Sequence, residues 1–154
     1  MSDELVVRRV IEATAATVFE ALSDPKVQAE IDGSGMLKGA VDPKPLTEVG
    51  DVFTMKMHQP ELGDYVMENT VFLFEQDVRI GWEPQRQGQP PRGSRWSWEL
   101  DVVDSERSGL TQIYDWSGVT DLEFKKVFPR VTEQQIVATM QRLADHLGVL
   151  LEDS

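Results

Sequence analysis

Cysteine is absent from this sequence of 154 residues. That removes disulfides, thiolate nucleophiles and cysteine metal sites together, and it fits a reducing compartment. Histidine is almost absent as well. His58 and His146 stand alone, with no HxxxH or HxH spacing to hold a metal ion. No apolar run approaches the roughly 20 residues that cross a bilayer. The opening MSDELVVRRVIEA starts with acids and alternates early, unlike a secretory leader. No serine has a nucleophile-elbow context, and no glycine-rich loop is built to cradle phosphate. Basic residues are scarce, 15 against 27 acids for a net charge of −12. The summed field repels phosphate backbones and anionic lipid surfaces. The expectation is a cytoplasmic protein, monomer or homodimer. It has no nucleic-acid partner, no stable membrane insertion, no metal and no cofactor.

What is present is ordered along the chain. The length favours one domain over residues 1–154. LVVRRVIEA, residues 5–13, reads as a strand rich in β-branched residues. Thr14 then caps a helix in which Val18, Ala21 and Leu22 recur at helical spacing, and Asp24-Pro25 starts a second one. Gly33 and Gly35 of EIDGSG end it. From about Gly35 to Thr120 the pattern is β, with turns at DPKP, HQPELGD, PQRQGQPPRGS and DSERSG. The last segment is a helix opened by the T-x-x-Q capping box of Thr132 and Gln135. Ile136, Met140, Leu143, Ala144, Leu147 and Leu151 mark its apolar stripe. Read from Glu133 to Leu151 it is about 19 residues, or roughly 28 Å at 1.5 Å per residue.

A sheet with one covered face should alternate cleanly, and RWSWELDVV does. Trp96, Trp98, Leu100 and Val102 share one face, while Ser97, Glu99 and Asp101 share the other. The tryptophans therefore face inward. By the same parity Phe53, Met55 and Met57 share a face, as do Trp82 with Ile80, and Gln112, Tyr114 and Trp116 with Leu110. With Met140 from the last helix these make a large, polarisable inner surface. Methionine and tryptophan suit irregular or adaptable walls, and indole and phenol groups need partners when buried. The surface is either a filled core under the helix or the wall of a cavity. Residues 65–74 stay ambiguous. Tyr65, Met67, Asn69, Val71 and Leu73 share one face, Val66, Glu68, Thr70, Phe72 and Phe74 the other, and neither is cleanly apolar. Asp115 points outward if Tyr114 and Trp116 point inward, and Asp32 in its glycine-flanked loop is suited to capping a turn.

VVRRVIEATAATVFEALSDP, then EIDGSG, then a meander ending in TQIYDWSG, then the capped helix, resemble the START-like, or SRPBCC, helix-grip domains. That group includes polyketide cyclase/dehydrase-like stand-alone bacterial proteins. The resemblance runs from about residue 4 to 151. It implies an α+β fold in which a curved seven-stranded antiparallel sheet wraps a long C-terminal helix, with two short helices after the first strand. It also implies an apolar cavity between sheet and helix. Phe53, Met55, Met57, Tyr65, Asn69, Trp82, Trp96, Trp98, Gln112, Tyr114, Trp116 and Met140 would line it, with Arg86, Arg92 and Arg95 of the 85–95 loop at its rim. The first functional expectation is binding of a small hydrophobic molecule, a lipid or polyketide. The alternatives are a polyketide cyclase or dehydratase working through groups such as Tyr65, Asn69 and Tyr114, and a protein-binding module of chaperone-ATPase-activator type. Many relatives carry a tryptophan shortly after the "DP", where this chain has KVQAEID. The superfamily has no universal catalytic motif, so no catalytic residue is assigned.

Overall fold

Local capping fixes where the elements begin. In the computed structural model, which describes residues 3–153, β1 (Glu4–Ile11) is followed by α1 (Ala15–Leu22) and α2 (Pro25–Ile31). Thr14 accepts a hydrogen bond from the Thr17 N–H, and Asp24 accepts one from the Lys26 N–H, so each short helix has its own side-chain cap. Six strands follow: β2 (Leu37–Val41), β3 (Val52–Gln59), β4 (Gly63–Glu75), β5 (Arg79–Arg86), β6 (Arg95–Val102) and β7 (Ser108–Asp115). A single turn, α3 (Leu122–Lys125), leads to α4 (Glu133–Leu147), and β8 (Leu151–Glu152) closes the chain.

The sheet is antiparallel throughout, in the order β2-β3-β4-β5-β6-β7-β1-β8. It has eight strands rather than the seven expected. The expected helix to Leu151 also overshoots. Gly148 adopts φ 70°, a left-handed conformation that suits glycine, and its N–H closes on the Ala144 and Asp145 carbonyls. The chain then turns back, and Leu151 pairs with Ile11 on the free edge of β1. At 15 residues, α4 is about 22 Å long. The capping box at its start forms as read, with Thr132 and Gln135 bonding reciprocally.

Strand β4 resolves its own ambiguity by changing face. Val71 lies opposite Trp82, yet Leu73 lies opposite Gly81, so Phe72 is an extra residue in a β-bulge. Before the bulge the odd residues point inward. After it Phe74 does, meeting Phe19 of α1 edge-on at 5.4 Å. Phe72 is pushed to the outer face, over Gly81 and under the Arg95 guanidinium. Beneath the sheet, Phe19, Leu22, Ile80, Trp98, Leu110, Met140 and Leu143 are wholly buried and form the packed part of the core.

The end of α2 is locked to α4 by EIDGSG. The Gly33 N–H donates to Thr139 Oγ1 at 2.8 Å, and a Cβ on Gly33 would lie 2.5 Å from the Gln135 carbonyl oxygen. Only glycine allows that approach. Among the described residues no helix is long and apolar enough to cross a membrane.

Candidate ligand-binding cavity

Above the packed core the sheet and α4 do not meet, and a cavity of about 460 Å³ remains. Ile136 and Thr139, from the N-terminal half of α4, form one side, and β3 to β7 form the other. Phe124, Val127 and Phe128 close it from the segment between β7 and α4. The walls are aromatic and sulfur-rich. Phe53 stands edge-on to Trp82 at 5.1 Å, and Trp96 stacks on Tyr114 with ring centres 3.9 Å apart. The stack follows from register, since Trp96 and Tyr114 are directly opposed on β6 and β7. Met36, Met55, Met57 and Met67 fill the β2–β4 side.

The polar groups are few and fall in two places. At the mouth, Arg130 Nη2 donates to Gln59 Oε1 at 2.7 Å, and Gln59 Nε2 donates to the Tyr65 hydroxyl oxygen at 2.7 Å. The Arg86 guanidinium lies 5.3 Å from the centre of the Tyr65 ring. Burial raises the Tyr65 pKa above the usual phenol value, opposed by the Gln59 bond and by the charges of Arg130 and Arg86. Burial pushes Tyr114 up to about 12 against a hydrogen bond from the Arg130 backbone, so both phenols are neutral donors near pH 7. Deeper in, Asn69 Nδ2 makes a long bond to the Phe53 carbonyl at 3.4 Å. Gln112 is only 6% exposed, and its amide makes no hydrogen bond within the described residues. Among the described residues Asp32 is the sole carboxylate on the wall, and its oxygens accept from the Ser34 N–H, the Ser34 hydroxyl and the Leu37 N–H.

Phe53, Met55, Met57, Tyr65, Asn69, Trp82, Trp96, Gln112 and Tyr114 all face this cavity. Trp98, Trp116 and Met140, expected beside them, do not. Trp98 and Met140 lie in the packed core below, and Trp116 sits behind Phe128, stacked on it at 6.0 Å. Arg86 and Arg92 reach the rim, but Arg95 does not: it projects from the outer face and pairs with Glu83. Arg92 is an anchor for the neighbouring segment, pairing with Asp121 at 3.0 Å and lying 3.5 Å over Phe124. Asp115 turns outward and accepts from the Ser117 N–H. His58 pairs with Asp64 at a hairpin end, and His146 lies 3.6 Å from Glu30, both away from the cavity. Sequence reading missed Gln59, Phe124, Phe128 and Arg130. Phe124 lies on the single turn α3, and Phe128 and Arg130 lie in the irregular stretch after it, where the basic-aromatic run KKVFPR was the only signal.

Comparison with known proteins agrees with the fold. Protein Ms6760 of Mycobacterium smegmatis superposes with a TM-score of 0.72 at 13% identity, over 96% of this chain and 92% of that one. The ZhuI aromatase/cyclase of Streptomyces sp. R1128 superposes with a TM-score of 0.65 at 15% identity, over 94% and 93%. The chain has the START-like helix-grip fold. No family model matches the sequence. Within the curated proteins, the uncharacterised protein Rv0088 of Mycobacterium tuberculosis is 26% identical over 141 residues, which are 88% of this chain. The chain spans only 60% of the length of the curated relatives it matches. In this helix-grip chain the grip is partial, since α4 is packed at its C-terminal half and stands off the sheet at its N-terminal half.

Proposed function

We propose that this protein binds a small hydrophobic molecule in the cavity between the sheet and α4. The observation that carries the reading is the wall itself. Seven of the chain's twelve aromatic residues and four methionines surround about 460 Å³ of space, inside the roughly 300–1,000 Å³ typical of small-molecule sites. A chain that needed only a core would fill this volume, because a void lined by apolar groups forfeits their dispersion contacts. The amide of Gln112, on the wall and without a hydrogen bond among the described residues, points the same way, since a ligand oxygen or nitrogen could pair with it.

Binding is favoured over a cyclase or dehydratase reaction by the state of the polar groups. Proton transfer needs a base, yet both cavity phenols are held neutral and the Asp32 oxygens are committed to three donors. An open interior also sets the chain apart from a module that works through its surface alone. Native mass spectrometry of the freshly purified protein tests the reading. A hydrophobic mass that is lost on denaturation, and reduced by Asn69→Trp in a still-folded variant, is the expected result. A clean apo mass, with no apolar probe changing the tryptophan fluorescence, would overturn it.

A further inference from the structure

We propose that the molecule bound in the cavity carries one anionic end of the carboxylate class, received at the mouth by Arg130 and Tyr65 with Arg86 beside them. This rests on the binding reading above. Five of the nine arginines of this acidic chain find acids: Arg8 pairs with Asp101, Arg79 with Glu75, Arg92 with Asp121, Arg95 with Glu83, and Arg107 with Asp104 and Glu152, while Arg9 and Arg142, away from the cavity, donate to backbone carbonyls. Arg130 and Arg86 have no carboxylate partner among the described residues, despite 27 acids in the sequence. Both adjoin Tyr65. A half-buried guanidinium facing an apolar cavity loses hydration, and the group that restores it best is an anion.

The hydrogen bonds are oriented to leave donors free. Arg130 is fixed through one N–H on Gln59 Oε1, and a guanidinium carries five N–H groups. Gln59 Nε2 is then turned toward Tyr65, whose oxygen accepts. The Tyr65 hydroxyl hydrogen is left without an acceptor among the described residues. Gln59 is itself buried, so this relay is held in place. Arg130 with the Tyr65 O–H presents a fork and a neutral donor, which matches the two oxygens of a carboxylate. Asp32, the one carboxylate among the described lining residues, accepts from its own loop and makes no ion pair with Arg130 or Arg86. An ammonium at the same place would face two unpaired guanidinium groups. A neutral alcohol would leave their charge unanswered.

The test uses two probes that share one apolar body, 4-hexylbenzoate and 4-hexylbenzyl alcohol, titrated calorimetrically into the whole protein at pH 7. The acid is expected to bind about tenfold more tightly than the alcohol, the scale of one charge-assisted hydrogen-bond pair. Arg130→Gln should remove that preference, weakening the acid far more than the alcohol. Tyr65→Phe should reduce the preference in part. Equal affinity of the two probes for the native protein overturns the anionic end while leaving the cavity reading intact. No binding of either probe overturns both. If Arg130→Gln fails to fold by circular dichroism, Arg130→Lys and Arg86→Gln decide: preference undiminished in both, and in Tyr65→Phe, overturns the assignment.

Discussion

Replacing Gln112 by methionine should stabilise the ligand-free protein. The amide stands on β7 directly between Val7 of β1 and Trp98 of β6, in an otherwise apolar row. It is 6% exposed and unpartnered within the described residues. An amide buried without a hydrogen bond costs about 1–3 kcal/mol on the scale of protein mutational data. Water entering the cavity recovers part of that, so the low end applies. Methionine has nearly the same length and shape, so its own repacking cost is small. The expected gain is about 1 kcal/mol, which raises Tm by roughly 2–4 °C in a domain of this size. Urea unfolding should give a higher midpoint with an unchanged slope, the mark of a change in stability alone. A loss of more than about 1 kcal/mol would mean that the amide has a partner in the folded chain, and the reasoning would fail. A gain also has a functional meaning: a chain that keeps a costly amide at the wall of a cavity has traded stability for recognition.

Gly33→Ala should destabilise by about 1–3 kcal/mol in urea unfolding, because the new methyl meets the Gln135 carbonyl and the Thr139 N–H at the α2–α4 contact; an unchanged midpoint would show that the two helices can part freely. Tyrosine ionisation followed by absorbance should show no step at the ordinary value, since burial raises both phenols and takes Tyr114 to about 12. Above the ordinary phenol pKa the unfolded chain ionises while the folded one does not, so stability falls with rising pH from about 10 to about 12, at up to roughly 1.4 kcal/mol per pH unit; a phenolate signal near pH 10 in the folded protein would sink this. Arg92→Ala should change global stability by less than about 1 kcal/mol, its ion pair with Asp121 being exposed. Hydrogen exchange over residues 121–128 should nevertheless quicken while α4 stays protected, and unaltered exchange there would show that Arg92 does not anchor the segment.

Much of the architecture could be read from local patterns. The alternation of Trp96, Trp98 and Leu100 placed all three inward, and the Thr132–Gln135 pair marked the start of α4 to the residue. Arg95 shows that the same rule was not followed far enough. It immediately precedes Trp96, so parity alone sends it to the opposite face, where it is found. The helix end was legible in Gly148 but was masked by the apolar spacing of Leu147 and Leu151, the second of which belongs to a strand. Alternation told inside from outside but not wall from core. Trp96 and Trp98 share a face, yet one borders empty space and the other is fully packed. That difference depends on where α4 lifts off the sheet, a long-range property with no trace in a strand's own sequence. Arg130 and Gln59 become partners across 71 residues of chain, which no local pattern reports.

The bulge at Phe72 has a consequence for how such a protein can change. One strand serves two compartments through one inserted residue: Tyr65, Met67 and Asn69 answer to whatever occupies the hollow, whereas Phe74 answers to α1 and the rigid floor. Because the first set lines the cavity while Phe74 packs on Phe19, substitutions in the first half should reshape the cavity with little loss of the floor's stability. Deleting Phe72 would remove the bulge and leave Leu73 opposite Gly81 and Phe74 opposite Ile80, so Phe74 would still face α1 while the extra twist between the two halves would be lost. The bulge is thus a partition between a half of the molecule free to diversify and a half that keeps it folded.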